Sequence, residues 1–216
     1  MDSSDAGTWP GIRPSRTRRA LDVAVSLTAL AVIGVPLLLL FAAVRCESRG
    51  PALFRQIRVG QGGRRFMLLK LRSMRTDASG SELTARGDQR ITRLGRLLRA
   101  TSLDELPQLV NVLRGDMTLV GPRPETPALA LDYPPECSWV FAYRPGLTGP
   151  AQVRLRDREV LGDDGADQVY SYLHVIVPAR TRIEARYLIR PSLPATIAVL
   201  MDTARHVLGR PVTGRA

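Results

Sequence analysis

The sequence predicts an α+β chain, with one long apolar helix near its start followed by a small domain of mixed helices and short strands. Three observations carry this. Residues 23–44 are uncharged and strongly apolar, and their length matches the ~20 residues that cross a bilayer as a helix. Residues 54–59 and 65–71 alternate in polarity around Gly60-Gln61-Gly62-Gly63, which predicts a β-hairpin. Beyond them, short stretches of helical periodicity are separated by Gly- and Pro-rich turns.

The apolar stretch has an unusual middle and unusual flanks. Gly34-Val35-Pro36 lies at its centre, where proline removes a backbone hydrogen bond and predicts a kink. Arg13, Arg16, Arg18 and Arg19 precede it, and Arg45, Arg49, Arg55 and Arg58 follow it. Positive charge normally marks the cytoplasmic end of a membrane helix, and here both ends carry it. A helix that enters, bends at Pro36 and returns to the same face satisfies both flanks. A plain spanning helix with a tolerated proline, or a buried soluble helix, remains an alternative at this point. Residues 1–18 are expected to be a flexible tail, 19–45 the membrane helix, and 46–210 a cytoplasmic domain.

Charge narrows the partners. The 216 residues carry a net +11, and Lys70 is the only lysine. Such a chain favours phosphate ligands, acidic lipid or nucleic acid. No nucleic-acid motif accompanies the arginines, and no aromatic positions interleave with them for base stacking, so nucleic acid is not expected. Cys46 and Cys137 form neither a metal-ligand spacing nor a disulfide framework.

In the domain, residues 77–88 read as a polar loop. Residues 91–99 read as a helix with Leu94, Leu97 and Leu98 on one face and Arg93, Arg96 and Arg99 on another. The next helix places Leu106, Leu109, Val110 and Leu113 on one face and stops at Gly115. Its start is ambiguous. Ser102 with Glu105 forms a capping-box pattern, whereas Pro107 in the first turn would make Asp104 the cap. Ser192 is expected to cap a last helix, on which Leu193, Ile197, Leu200, Met201 and Ala204 share a face suited to the core or to a membrane interface.

The adjacent carboxylates Asp104 and Glu105 are the candidate site. Capping acids are common, and a dipole contact is worth only ~0.3–1 kcal/mol. Neighbours on a helix diverge by about 100° and cannot clasp one proton symmetrically. They can, however, both reach one hard cation such as Mg²⁺ or one phosphorus centre. Arg123, between Pro122 and Pro124, offers a bidentate fork for phosphate.

Six motifs occur in order: Lys70-Leu71-Arg72-Ser73-Met74, Gly95-Arg96-Leu97-Leu98-Arg99, Thr101-Ser102-Leu103-Asp104-Glu105-Leu106-Pro107-Gln108, Asn111-Val112-Leu113-Arg114-Gly115-Asp116-Met117, Val120-Gly121-Pro122-Arg123-Pro124 and Arg144-Pro145-Gly146-Leu147-Thr148-Gly149. In this order the chain resembles, over roughly residues 15–208, the bacterial sugar transferases, the monotopic polyprenyl-phosphate phosphoglycosyltransferases that initiate exopolysaccharide and glycoconjugate assembly. The resemblance implies transfer of a phosphosugar from a UDP-sugar to polyprenyl phosphate, typically undecaprenyl phosphate, releasing UMP. It implies Asp104 as nucleophile of a covalent phosphosugar intermediate, and Glu105 as Mg²⁺ ligand or base, with Asp104 sharing the metal. Arg99, Arg123, Arg144, Lys70 and Arg72 are expected at substrate phosphate, and Pro36 at the break of a re-entrant membrane helix hairpin. Interfacial amphipathic helices, membrane lipid as partner, the cytoplasmic face of the bacterial inner membrane as location, and compatibility with a homo-oligomer follow from the same resemblance. The usual Ser-Pro of the bend is Val35-Pro36 here, and Pro191 and Pro194 also depart from the family pattern.

Overall fold

The computed structural model describes residues 10–12, 14–75, 88–155 and 165–207. Parts of the expected N-terminal tail, all but the last residue of the polar loop at 77–88, and the last residues of the expected domain lie outside them.

Helix α1 (Arg16–Glu47) opens with the Ser15 hydroxyl accepting the Arg18 N–H. It continues through Pro36 as one helix, so the expected bend does not divide it into two. It is long and apolar enough to cross a membrane. Both of its ends nevertheless hold the following domain. Near the start, Arg19 donates to the Val112 and Leu113 carbonyls, and Arg18 to the Val120 carbonyl and Tyr187 hydroxyl. Near the end, Glu47 accepts the Leu94 N–H, and Val44 is buried beside Leu71 and Leu98.

The hairpin forms as expected. Strands β1 (Leu53–Val59) and β2 (Arg65–Leu71) pair antiparallel, with Ile57 opposite Met67. The turn between them needs left-handed backbone at Gly62 (φ 67°) and Gly63 (φ 77°), which glycine adopts without penalty.

Helix α2 (Arg93–Thr101) is capped by the Thr92 hydroxyl, which accepts the Gly95 N–H. Gly95 is obligatory, because a Cβ there would lie 2.0 Å from the Ser73 carbonyl oxygen. Leu98 is buried, but Leu97 faces outward, so the expected apolar face is narrower than its pattern. Ser102 then takes left-handed backbone (φ 58°) and ends α2. A single tight turn, Leu103–Glu105, leads into helix α3 (Gln108–Arg114). Neither Ser102 nor Asp104 therefore caps α3: Ser102 is spent on stopping the preceding helix, and Pro107 stands at the start. Gly115 (φ 88°) closes α3 as expected.

Asn111 joins α3 to the hairpin. Its buried amide accepts the Leu69 N–H and donates to the Met67 carbonyl, standing in for a neighbouring strand on the edge of β2. The main core lies between α1, α3 and the C-terminal helices, with Leu68, Leu109, Val112, Met117, Leu119 and Leu188 at its centre.

Strands β3 (Thr118–Val120) and β4 (Gly146–Thr148) pair in parallel. At three residues each, they are too short to display a period of two. Helix α4 (Pro127–Leu131) and a run of tight turns over Pro135–Ala142 connect them. Helices α5 (Pro150–Leu155), α6 (Gly165–Ser171), α7 (Val177–Leu188) and α8 (Leu193–Val207) complete the domain. A wide helical turn, Tyr172–Ile176, joins α6 to α7. Ser192 caps α8 as expected, its hydroxyl accepting the Ala195 N–H. On α8, Leu193, Ile197 and Met201 face outward, whereas Leu200 packs on the core. Ala204 is exposed with the first three, and at about 100° per residue the five positions do share one side, with Leu200 at its edge.

Candidate active site

The tight turn before α3 aims Asp104 inward. Leu103 and Leu106 on either side of it pack into the cluster of Leu71 and Leu98, and Asp104 between them is only 6% exposed. Burial, then the adjacent Glu105 charge, push the Asp104 carboxyl up to about 6; Lys70 and Arg99 oppose the shift. Lys70 reaches this group from the last paired positions of β2. Burial lowers its ammonium to about 8, Asp104 opposes, and Arg99, Arg58 and Arg123 push further in the same direction. Arg99, from the last turn of α2, is lowered by burial and sits in the field of Asp104, Arg123 and Glu105.

Arg123 faces Glu105 across 3.8 Å, with both side chains partly exposed. An exposed pair at that separation contributes little, so an incoming phosphate can replace the carboxylate at small cost. Asp104, Glu105, Lys70, Arg99 and Arg123 thus form one group.

Two expected members lie elsewhere. Arg72 donates to the Arg49, Ser48 and Val44 carbonyls and ties off the end of α1. Strand alternation gives Lys70 and Arg72 one face, but β2 ends at Leu71 and the chain turns toward α1. Arg144 stands in the field of Arg19, Asp22 and Asp116, and burial lowers its guanidinium. It lines a separate cavity of about 260 Å³ with Arg18, Thr118 and Tyr143. Its buried Nε has no partner there.

Residues that the sequence did not single out also serve the group. Arg58, read only as a flanking charge, donates to the Pro124 carbonyl and to Gln56, and its charge acts on Lys70. Its alternation with Gln56 and Phe54 on β1 was the available signal. Behind the Pro122-Arg123-Pro124 loop lies a buried set formed by Glu125, Tyr172, Arg180 and Glu184. The Tyr172 hydroxyl donates to Glu125 Oε1 at 2.6 Å, and Arg180 Nη1 donates to the Tyr172 oxygen at 2.6 Å. Arg180 and Glu125 pair at 3.5 Å. Burial pushes the Glu184 carboxyl up to about 7, with Arg180 opposing and Glu125 adding to the rise. Only the i,i+4 spacing to Arg180 marks Glu184 locally, since Glu125 is remote in sequence.

Among the described residues, no three His, Cys, Asp or Glu side chains converge on one point. The donor set is the pair Asp104 and Glu105. A buried carboxylate raised by a second one is under-compensated, and a cation relieves that. Two carboxylates, water and substrate phosphate are a normal Mg²⁺ environment. The residues therefore fit Mg²⁺ held jointly with a phosphorylated ligand.

This chain belongs to the bacterial sugar transferase family, whose sequence pattern matches residues 13–210. It is 52% identical over 154 residues to the UDP-glucose:undecaprenyl-phosphate glucose-1-phosphate transferase of Caulobacter vibrioides, an overlap of 68% of this chain and 57% of that protein. It is 44% identical over 156 residues to the undecaprenyl-phosphate glucose phosphotransferase of Komagataeibacter xylinus, covering 68% of this chain and 29% of the relative. The UDP-N-acetylgalactosamine-undecaprenyl-phosphate N-acetylgalactosaminephosphotransferase of Aeromonas hydrophila is 38% identical over 141 residues, covering 63% of this chain and 33% of that protein. The chain thus spans little more than half of the first relative and about a third of the other two.

Proposed function

We propose that this protein transfers a phosphosugar from a UDP-sugar to polyprenyl phosphate, giving polyprenyl-diphosphate-sugar and UMP. The observation that carries the reading is the buried Asp104 carboxylate beside Glu105, surrounded by Lys70, Arg99 and Arg123. A carboxylate in a basic, partly dry setting can attack phosphorus, and the cations stabilise the charge that gathers there.

In the first step an Asp104 carboxylate oxygen attacks the β-phosphorus of the donor. The bond from that phosphorus to the bridging oxygen breaks, and UMP leaves with its electron pair. In the second step a phosphate oxygen of the polyprenyl phosphate attacks the same phosphorus and frees the Asp104 carboxylate. Arg123 and Arg99 hold donor phosphate oxygens, and Lys70 balances charge beneath Asp104. Glu105 binds the metal with Asp104 or takes a proton from the acceptor phosphate. Mg²⁺, when bound, supplies Lewis-acid stabilisation of phosphate oxygens.

Both ends of α1 hydrogen-bond into one domain, which supports an anchor whose two ends lie on the same membrane face. Leu27, Val32, Val35, Leu38 and Leu39 are exposed along its middle, and Leu193, Ile197 and Met201 along α8. Apolar faces on two elements suit a domain set flush with the lipid headgroups, where the acceptor's phosphate lies. On this reading the site opens to the cytoplasm at the bacterial inner membrane.

The test is UMP release by the purified full chain with Mg²⁺, undecaprenyl phosphate and a panel of UDP-sugars. Release with at least one donor, dependent on the lipid acceptor and lost on chelation, is expected. No release with any donor would overturn the reaction. For the anchor, cysteines placed at residues 10–19 and 50–60 are expected to be protected from an impermeant thiol reagent in intact cells. Labelling of one end alone would establish a spanning helix.

A further inference from the structure

The cavity that Arg144 lines has no part in the proposed reaction. Three segments wall it. Ile12 and Arg18 come from the chain entering α1, Tyr143 and Arg144 from the chain entering β4, and Ile189 from the junction of α7 and α8.

The protein leaves positive charge there unsatisfied. Arg18 donates to the Val120 carbonyl and the Tyr187 hydroxyl, and Arg19 to the Val112 and Leu113 carbonyls. Arg144 differs from both. Its Nε is buried without a partner, and among the described residues its guanidinium makes no hydrogen bond or ion pair. A Cβ added at Gly115 would lie 3.7 Å from Arg19 Nη2 and 3.8 Å from Arg144 Nη1, so two like charges crowd the end of α3. The carboxylates in the field of Arg144 are Asp22 and Asp116. Asp22 already accepts from Thr118 and Leu119, and Asp116 from the Asn111 amide. Three guanidiniums thus meet two occupied carboxylates. A buried donor without an acceptor costs free energy that an anion in the cavity would recover.

The rim decides which anion. Ile12 and Ile189 line the cavity but are 49% and 71% exposed. Leu193, Ile197 and Met201 follow Ile189 along α8 with their side chains outward. On the other side, the apolar stretch of α1 begins at Val23, about one turn beyond Arg18. Arginines at the start of an apolar helix lie at the level of lipid headgroups. At about 260 Å³ the cavity is smaller than the ~300–1,000 Å³ pockets that enclose drug-sized ligands. It suits a headgroup better than a nucleotide-sugar.

We propose that this cavity binds the phosphate of an acidic glycerophospholipid, with Arg144 and Arg18 at the phosphate and the acyl chains against Ile12 and Ile189. The bound lipid would tie the start of α1, the chain before β4 and the α7–α8 junction to one point in the headgroup layer. This site is separate from the Asp104 group, and its occupancy does not rest on the proposed reaction.

The test is thermal unfolding of the purified full chain in a phosphate-free maltoside detergent. Short-chain phosphatidylglycerol is titrated in one arm and inorganic phosphate in the other. The lipid is expected to raise the midpoint saturably, with half-saturation at least roughly tenfold below that of inorganic phosphate. Arg144→Gln is expected to weaken the lipid effect roughly tenfold or more, since it removes charge-assisted donors. Ile189→Glu, at the exposed mouth, sets a carboxylate against the phosphate without touching the core, and a similar loss is expected. Arg96→Gln, on the exposed face of α2, is expected to leave the titration unchanged.

Equal half-saturation by inorganic phosphate would make this a soluble-anion site and overturn the lipid assignment. The absence of a saturable shift in the wild type, or an equal loss in Arg96→Gln, would overturn the site itself. Unchanged lipid affinity in Arg144→Gln and Ile189→Glu would place the lipid elsewhere and overturn it too. If Arg144→Gln does not accumulate in membranes, Ile189→Glu decides alone. Because the readout is binding and not turnover, failure of the proposed reaction would leave this result standing, and the reverse.

Discussion

Asp104→Asn is expected to abolish phosphosugar transfer and at the same time to stabilise the protein. Loss of the attacking oxygen is expected to lower turnover by at least roughly 10⁴-fold, the scale seen when a nucleophile is removed. The stability gain follows from the same burial that prepares the group. The folded-state carboxyl is raised to about 6 from the ordinary value of 3.8. A raised acid binds its proton more tightly in the folded state. Its contribution is complete below the unfolded value and is lost as pH climbs through the folded one. Two units correspond to roughly 2–3 kcal/mol. In metal-free buffer, the stability advantage of Asp104→Asn over wild type is expected to widen from about pH 4 to about pH 7 and then level off. Thermal unfolding in detergent across that range measures it. An advantage that does not change with pH would show that burial does not burden Asp104. Mg²⁺ is expected to raise the midpoint of the wild type more than that of the variant, because the cation offsets the carboxylate that the variant lacks.

The second large effect concerns the mooring of α1. Asp22, one residue before the apolar stretch, is buried and accepts from the Thr118 hydroxyl and the Leu119 N–H. Asp22→Ala leaves both donors without a partner inside the protein and removes a negative charge from beside Arg144. Breaking such a buried charged contact costs about 3–5 kcal/mol. For a chain of this size that is a fall in melting temperature of roughly 6–20 °C. Asp202→Ala, which breaks a partly exposed pair with Arg205, is expected to cost no more than about 1 kcal/mol. Comparable effects from the two changes would mean that Asp22 does not fasten the helix. Loss of this contact is also expected to expose the segment before α1 to protease, since Arg18 and Arg19 dock on the same elements.

Much of this was legible in the sequence. The apolar length of α1 and the alternation of β1 and β2 are local signals, and those elements form where they were expected. The carboxylate pair and the proline-flanked arginine were legible because their spacing is compact. The start of α3 was misread because Ser102 suits two jobs. Only the left-handed turn that ends α2 decides between them. The parallel pairing of β3 with β4 was hidden, since three-residue strands carry no period and their pairing joins distant segments.

By itself the sequence determined an apolar helix ending in arginines, a hairpin, and a motif placing Asp104 and Glu105 one short helix ahead of Arg123. Only the tertiary structure decided which basic residues face the pair: Lys70, Arg99 and Arg123 do, whereas Arg72 closes the end of α1 and Arg144 joins Asp22. The same is true of the buried contacts of Glu125 with Tyr172 and Arg180. The physical reason is that motif membership fixes residue type, but the field at a carboxylate depends on distance and burial, and these are set by how α1, the hairpin and α7 pack.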